Sequence, residues 1–134
     1  PQLRKLEERG EGQWLKYLHQ SEVLALLQSA GALVFASLYE GFGLPVIEAF
    51  AAQCPVIASN TTSVPEVAAD AAWSVDPRDV DSIRAAMLSV LNNSTLRAER
   101  VQLGLQRARE YTWQACARQT LAVYQDVLSR YEGN

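Results

Sequence analysis

Apolar and polar residues follow two different periods along this chain, and the pattern predicts short strands separated by helices. Nearly continuous apolar runs at residues 32–36, 55–59 and 72–75 are typical of buried strands. Residues 13–18 alternate weakly between apolar and polar, so a further strand is predicted there. Strands that alternate with helices favour a parallel sheet covered by helices on both faces, and the predicted fold class is therefore α/β.

Apolar residues spaced three or four positions apart predict helices between and after these strands. Ser21 and Thr112 are the predicted N-caps of two helices. Pro45 is expected at the first helical position of another, where its missing N–H costs nothing. A short helix is predicted at residues 65–69. Three more are predicted around Leu3 and Leu6, around Ile83, Met87, Val90 and Leu91, and around Val101, Leu105 and Ala108.

The candidate chemistry lies between the strand at residues 32–36 and the Pro45 helix. The sequence from Glu40 to Glu48 is EGFGLPVIE, with two carboxylates around a Gly-x-Gly turn. A strand, a glycine loop and a helix place free backbone N–H groups and a positive dipole end at a sheet edge, where an anion can bind. Carboxylates accept hydrogen bonds from sugar hydroxyls, so the segment suggests a nucleotide-sugar ligand. The spacing alone fits two surface glutamates of an ordinary α/β protein equally well.

A second loop, at residues 60–63, directly follows the strand at residues 55–59. Ligands of parallel sheets bind beyond the carboxyl ends of the strands. We therefore expect this polar loop and the glycine loop to face the same edge of the sheet and to wall one cleft.

Several ordered blocks of the sequence resemble glycosyltransferase family 4, whose members are retaining enzymes of the GT-B architecture. SLYEGFGLPVIEA at residues 37–49 resembles the E-x7-E motif region, and the likeness continues through PVIASN, VPEV and VDP at residues 55–60, 64–67 and 75–77. It covers residues 12–130, most of the chain. The resemblance implies a Rossmann-like fold. It also implies that residues 1–134 are part of a donor-binding domain, truncated at the N-terminus, whose acceptor-binding domain is absent from this chain.

The resemblance also assigns roles to individual residues. Glu40 would be the first acid of the E-x7-E pair, in contact with the donor sugar, and is the candidate catalytic residue. Glu48 would be the second acid and would accept hydrogen bonds from the ribose hydroxyls. The residues whose backbone N–H groups would meet the diphosphate and the sugar are Gly41, Phe42, Gly43 and Leu44. Thr61 and Thr62 are candidates for phosphate contacts and equally for ordinary turn formers.

By this resemblance the function is transfer of a hexose from GDP-mannose or a UDP-sugar to an acceptor hydroxyl, with retention of configuration. The acceptor would be a glycan or a lipid-linked glycan bound through the missing N-terminal domain. The basic residues that hold the diphosphate in this family lie upstream of the chain, so the isolated fragment is expected to be inactive. The alternatives are a non-catalytic nucleotide-sugar binding module and a sugar-nucleotide epimerase of the same architecture.

Composition and charge limit the classes of molecule that the chain is expected to bind. The 134 residues carry 12 Lys and Arg against 15 Asp and Glu, a net charge of −3. No basic stripe is present, which argues against nucleic acid as a partner. No His, Cys, Asp and Glu cluster has metal-ligand spacing, so neither a metal nor another cofactor is expected beyond the substrate. No apolar run reaches membrane-spanning length. We expect a cytoplasmic location, and peripheral membrane association of the full-length protein stays open.

The cysteines and tryptophans are predicted to be structural. Cys54 and Cys116 are single, widely spaced thiols and are expected to be reduced core residues. Trp14, Trp73 and Trp113 have apolar neighbours in the sequence, so core packing is expected for all three.

Overall fold

A computed structural model describes residues 2–132, which form a three-stranded sheet and seven α-helices. The strands are β1 (Leu33–Phe35), β2 (Val56–Ser59) and β3 (Trp73–Val75). The helices are α1 (Gln2–Glu8), α2 (Gln20–Ser29), α3 (Leu44–Ala51), α4 (Val64–Ala68), α5 (Val80–Asn92), α6 (Ser94–Glu110) and α7 (Trp113–Glu132), with a 3-10 turn at Ala69–Ala71 after α4.

The sheet is parallel, in the order β1-β2-β3. Leu33 lies opposite Val56, and Ile57 lies opposite Trp73. All three predicted strands of this sheet are confirmed, each to within one residue at either end. Each pair of consecutive strands is connected through a helix, as a parallel sheet requires. The predicted α/β class with flanking helices is therefore confirmed.

The core lies on both faces of β2, all four of whose residues are buried. Val56 and Ala58 belong to a cluster with buried residues of α3 and α4. Ile57 belongs to a second cluster, together with Trp73 and buried residues of α5. Successive side chains of a strand point to opposite faces, so this split follows from the alternation along β2. A strand buried on both faces favours apolar residues, which is why β2 begins with three of them in succession. Its last residue, Ser59, is polar and also buried.

The predicted strand at residues 13–18 is wrong, because the structure places no strand in this segment. A strand needs a neighbouring strand for its backbone hydrogen bonds, and β1 to β3 pair only with one another among the described residues. The Trp14 N–H instead donates to Glu7 Oε1 at 2.7 Å.

Two helix starts also differ from the prediction. Helix α2 begins at Gln20 with His19, not Ser21, as its N-cap, and the Glu22 side chain accepts from the His19 N–H at 2.8 Å. Helix α3 begins at Leu44, so Pro45 occupies its second position. The Thr112 cap is confirmed, since its hydroxyl oxygen accepts from the Ala115 N–H at 3.1 Å.

Several residues predicted to lie in the core are exposed. Trp73 and Cys54 are buried, as expected, but Trp14 and Trp113 are 58% and 82% exposed and Cys116 is exposed. Every residue from 116 to 131 of α7 is exposed. Helical periodicity marks which face of a helix is apolar, but it does not show whether another element covers that face. Within residues 2–132, none of the helices is long and apolar enough to cross a membrane.

Candidate functional site

The loops that follow β1 and β2 leave the sheet at the same edge, because these strands are parallel neighbours with Phe35 opposite Ala58. Hydrogen bonds join the two loops. The Glu40 N–H donates to Thr62 Oγ1 at 3.1 Å. The Ser63 hydroxyl shares its single proton between the carbonyl oxygens of Glu40 at 3.0 Å and Phe42 at 3.1 Å. The second loop therefore holds the first in place from one side.

The first loop ends in a left-handed residue. Gly43 is the N-cap of α3 with φ 106° and ψ 44°, a backbone conformation that L-residues rarely adopt. It is buried, and a Cβ built on it would lie 3.9 Å from side-chain atoms of Val46 and Val64. A Cβ on Gly41, in contrast, would meet no atom within 4 Å. Glycine is thus required at position 43 by the backbone, while position 41 faces open space.

Four consecutive backbone N–H groups of this segment have no hydrogen-bond acceptor in the part of the chain that the structure describes. Within residues 2–132, the amides of Gly41, Phe42, Gly43 and Leu44 donate to no backbone or side-chain acceptor. The next donor along the chain, the Val46 N–H, bonds to the Gly43 carbonyl at 3.0 Å. The free amides stand at the N-terminus of α3, where the helix dipole adds positive potential. This arrangement can receive the oxygens of an anion.

The two candidate carboxylates flank this run of amides in the sequence. Glu40 is half-buried and its backbone is fixed on both sides by the second loop. Glu48 is exposed in the second turn of α3. Neither carboxylate forms a hydrogen bond or ion pair with another part of the chain described by the structure. Both are therefore available as acceptors for hydroxyl groups.

The two candidate threonines hold the glycine loop. Thr61 Oγ1 donates to the carbonyl oxygens of Ser37 and Leu38 at 3.4 Å. Thr62 Oγ1 accepts from the Glu40 N–H, which leaves the hydroxyl proton of Thr62 free for another acceptor. Thr62 also has a positive φ of 55°, uncommon for a residue other than glycine. The Thr61 hydroxyl proton is therefore used in bonds to the protein backbone, whereas the Thr62 hydroxyl proton can be donated to a ligand.

Two residues that the sequence does not predict to belong to the site, Arg107 of α6 and Tyr111 at its C-cap, contact α4 and the first loop. The Tyr111 ring lies against the Phe42 ring, with the centroids 5.4 Å apart and the planes at 75°. Arg107 Nε donates to the Val67 carbonyl at 3.2 Å, and Arg107 Nη2 donates to the Tyr111 hydroxyl at 2.9 Å. No local sequence signal announces these contacts, because they join residues that are far apart along the chain.

The loops form an open surface at the edge of the sheet. Two cavities lie elsewhere: one of about 490 Å3 beside Trp73 and Arg100, the other of about 390 Å3 beside Gln53 and Arg97. The structure therefore brings the two loops together as expected, but neither of these cavities is the expected cleft between them. In the described part of the chain, no three His, Cys, Asp or Glu side chains are grouped closely enough to hold a metal ion.

Comparison with known proteins gives matches over most of the chain. Residues 2–107 match the family described as Glycosyl transferases group 1. The chain is 41% identical over 125 residues to O-antigen chain mannosyltransferase B of Escherichia coli, an alignment that covers 90% of this chain and 32% of the relative. It is 38% identical over 117 residues to MMP alpha-(1->4)-mannosyltransferase of Mycolicibacterium hassiacum, with 84% and 28% covered.

A solved structure also matches. Sucrose-phosphate synthase from Thermosynechococcus elongatus superimposes with a TM-score of 0.76 at 27% identity, covering 95% of this chain and 33% of that one. The predicted GT-B-type fold class is thereby confirmed. The chain spans about a third of the length of these relatives.

Proposed function

The chain belongs to the family of Glycosyl transferases group 1, and from that premise we propose that it supplies the donor site of a retaining glycosyltransferase of family 4. The full-length protein would move a sugar from a nucleotide diphosphate sugar to an acceptor hydroxyl. Residues 1–134 would be part of the donor-binding domain, and a preceding domain would bind the acceptor, a glycan or a lipid-linked glycan. Two relatives are named mannosyltransferases, which favours mannose as the sugar. The donor is then GDP-mannose in preference to a UDP-sugar.

One observation carries this proposal: four free amides at the start of α3 lie between two unpaired carboxylates in the sequence. The N–H groups of residues 41–44 would donate hydrogen bonds to the diphosphate oxygens, as helix N-termini do to anions in general. Glu48 would accept the ribose hydroxyls and Glu40 the hydroxyls of the transferred sugar. Each polar part of the nucleotide-sugar would then face a complementary group: the diphosphate oxygens face N–H donors, and the hydroxyls of the ribose and the sugar face carboxylate acceptors.

The same geometry suggests how the chain assists the reaction. Negative charge builds on the diphosphate as the bond to the sugar breaks, and preorganised N–H donors stabilise such charge most effectively. We propose that the α3 dipole and the loop amides supply this potential without a metal or other cofactor. Cationic side chains outside this chain would add to it, since residues 36–48 and 60–67 contain no Arg or Lys. Glu40, at the sugar, is the proposed catalytic residue, and the isolated chain is expected to transfer no sugar.

The two carboxylates provide the test, in the full-length protein. Glu48→Ala removes a charge-assisted hydrogen bond and should weaken binding of both GDP-mannose and GDP by about 1.5–3 kcal/mol. Glu40→Ala should leave the affinity for GDP nearly unchanged and lower turnover, because its proposed partner is the sugar. Isothermal titration calorimetry measures the affinities, and release of GDP in the presence of acceptor measures turnover. Glu99→Ala, at an exposed acid of α6, is the matched control.

Three outcomes would contradict the proposal in different ways. An unchanged affinity of Glu48→Ala for GDP would rule out the ribose contact. Binding of the donor by the wild-type protein without any transfer would favour the non-catalytic binding module. Conversion of the donor sugar in the absence of acceptor would favour the epimerase.

A further inference from the structure

We propose that Arg107 and Tyr111 are positioning residues of the donor site, which fix the glycine loop through the Phe42 ring. This inference rests on the proposed function and extends it to the C-terminal end of α6. Neither residue belongs to the motif between Glu40 and Glu48. Their role would be to hold the four free amides in the arrangement that a diphosphate sugar requires.

The contact between Phe42 and Tyr111 is the first support. Phe42 is the second of the four residues with free amides, so its ring is attached at the middle of the anion-binding run. Its side chain is 41% exposed on one side and packs edge-to-face on the Tyr111 ring on the other. Aromatic rings prefer this geometry, because the positive edge of one ring meets the negative face of the other. The contact restricts a loop that otherwise has open space beside Gly41.

Arg107 is the second support, because it ties Tyr111 to α4. The guanidinium lies 4.9 Å from the centroid of the Tyr111 ring and donates to the Tyr111 hydroxyl. It also donates to the carbonyl oxygens of Glu66 and Val67. The last carbonyls of a helix have no partner within the helix, so these bonds satisfy acceptors that α4 cannot satisfy itself. An ion pair with Glu110 holds the guanidinium from its other side.

The two supports together fix the glycine loop. Helix α4 follows the second loop, whose Thr62 and Ser63 hydrogen-bond to Glu40 and Phe42. Arg107 holds the end of α4, and Tyr111 holds Phe42. The glycine loop is thereby fixed from two sides, by the second loop directly and by α6 through the aromatic pair. Small displacements of positioned groups have large effects on binding and catalysis.

If Tyr111 positions the loop amides, its loss should weaken the binding of ligands that carry a diphosphate and leave the binding of those without phosphate unchanged. Loss of the Tyr111 ring should disturb the loop amides, which face the diphosphate, but not Glu48 on α3, which faces the ribose. In the full-length protein, Tyr111→Ala should bind GDP and GDP-mannose roughly 3- to 10-fold more weakly than wild type. Its affinity for guanosine, which lacks phosphate, should be unchanged. A residue that only stabilises the fold would lower neither affinity selectively.

Conservative variants and controls sharpen the test. Tyr111→Phe retains the ring and should retain most of the affinity for GDP, while Arg107→Gln should lose part of it. Tyr124→Ala and Arg109→Gln change exposed residues of the same types on α7 and α6 and should have no effect. If Tyr111→Ala does not fold, Phe42→Leu breaks the same contact from the loop side. The double variant of Phe42→Leu with Tyr111→Leu should then be less impaired than the two single losses combined.

The outcomes separate this inference from the proposed function. If wild-type protein binds neither GDP nor UDP, the proposed function is wrong and the positioning role falls with it. If wild type binds GDP and Tyr111→Ala binds it equally well, only the positioning role is wrong. Equal losses for GDP and guanosine would likewise overturn it, because they would indicate a general loss of structure. If wild type binds UDP instead, uridine and UDP replace the guanosine ligands and the same split is expected.

Discussion

Alanine substitutions at the two glycines of the first loop are expected to have opposite consequences. At Gly43 the backbone has φ 106° and ψ 44°. An L-residue held in such a region costs about 1–3 kcal/mol. The added Cβ itself meets its neighbours at 3.9 Å or more, an ordinary contact, so the loss comes from backbone strain and not from a clash. Gly43→Ala should therefore lower the free energy of unfolding by about 1–3 kcal/mol.

The Gly41→Ala variant is the matched control for stability, and it also tests whether the diphosphate binds beside the first loop. Its φ is not positive, and a Cβ there meets no atom within 4 Å. Gly41→Ala should leave stability unchanged or raise it by about 0.4–1 kcal/mol, because alanine restricts the unfolded chain. The methyl group would nevertheless enter the space proposed for the diphosphate. Loss of one charge-assisted hydrogen bond there should weaken GDP binding by about 1.5–3 kcal/mol.

Urea unfolding and calorimetric titration with GDP measure the two effects in the full-length protein. If Gly43→Ala is as stable as wild type, the left-handed conformation at this N-cap is not what requires glycine. If Gly41→Ala binds GDP as tightly as wild type, the diphosphate does not approach the loop at that point. The stability result tests the local geometry, and the binding result tests the proposed ligand.

Three further predictions concern the core and the thiols. Gly104→Ala should destabilise the fold by about 1–3 kcal/mol in urea unfolding, because the added Cβ would lie 2.5 Å from a ring atom of buried Phe50. Gly31→Ala is the control and should have little effect, since a Cβ there would meet no atom within 4 Å. Burial raises the pKa of the Cys54 thiol, outweighing a backbone hydrogen bond that lowers it. A thiol reagent at pH 8 should therefore label exposed Cys116 and spare Cys54 in the native protein, and labelling of both at equal rates would contradict the burial. Because the folded pKa is raised, the stability contribution of Cys54 is complete below the unfolded pKa and is lost as pH rises towards the folded pKa, and Cys54→Ala should abolish this dependence.

Local patterns were sufficient for the elements that form the sheet and its helices. Apolar runs located β1, β2 and β3, because strands packed under helices are rich in apolar residues. The central strand β2 is buried at all four positions, whereas β1 and β3 each keep one exposed residue. The glycine, the proline and the carboxylates of the first loop located the candidate site, since their backbone and hydrogen-bonding properties are intrinsic to the residue types. For the three strands the sequence and the structure agree, and the roles of the site residues stay predictions.

Local patterns failed where the outcome depends on a distant partner. The segment at residues 13–18 has a weak strand pattern but no neighbouring strand, so it forms none. Trp113 and Leu91 lie on helices with apolar residues at helical spacing, yet they are 82% and 65% exposed. Amphipathic spacing is a property of one helix, whereas burial is a property of two packed elements.

Short segments of the sequence were enough to predict the fold class and the three strands of the sheet, because both depend on the order of residue types within a few positions. The same kind of local pattern proposed the residues of the candidate site. The contacts that fix this site follow from tertiary packing alone. They are the hydrogen bonds of Glu40 with Thr62 and Ser63, the packing of the Tyr111 ring on Phe42, and the hydrogen bonds of Arg107 to the end of α4. These contacts join segments separated by about 20 to 70 positions. These contacts form only when the whole chain packs, and no short segment of the sequence contains both of the residues in contact.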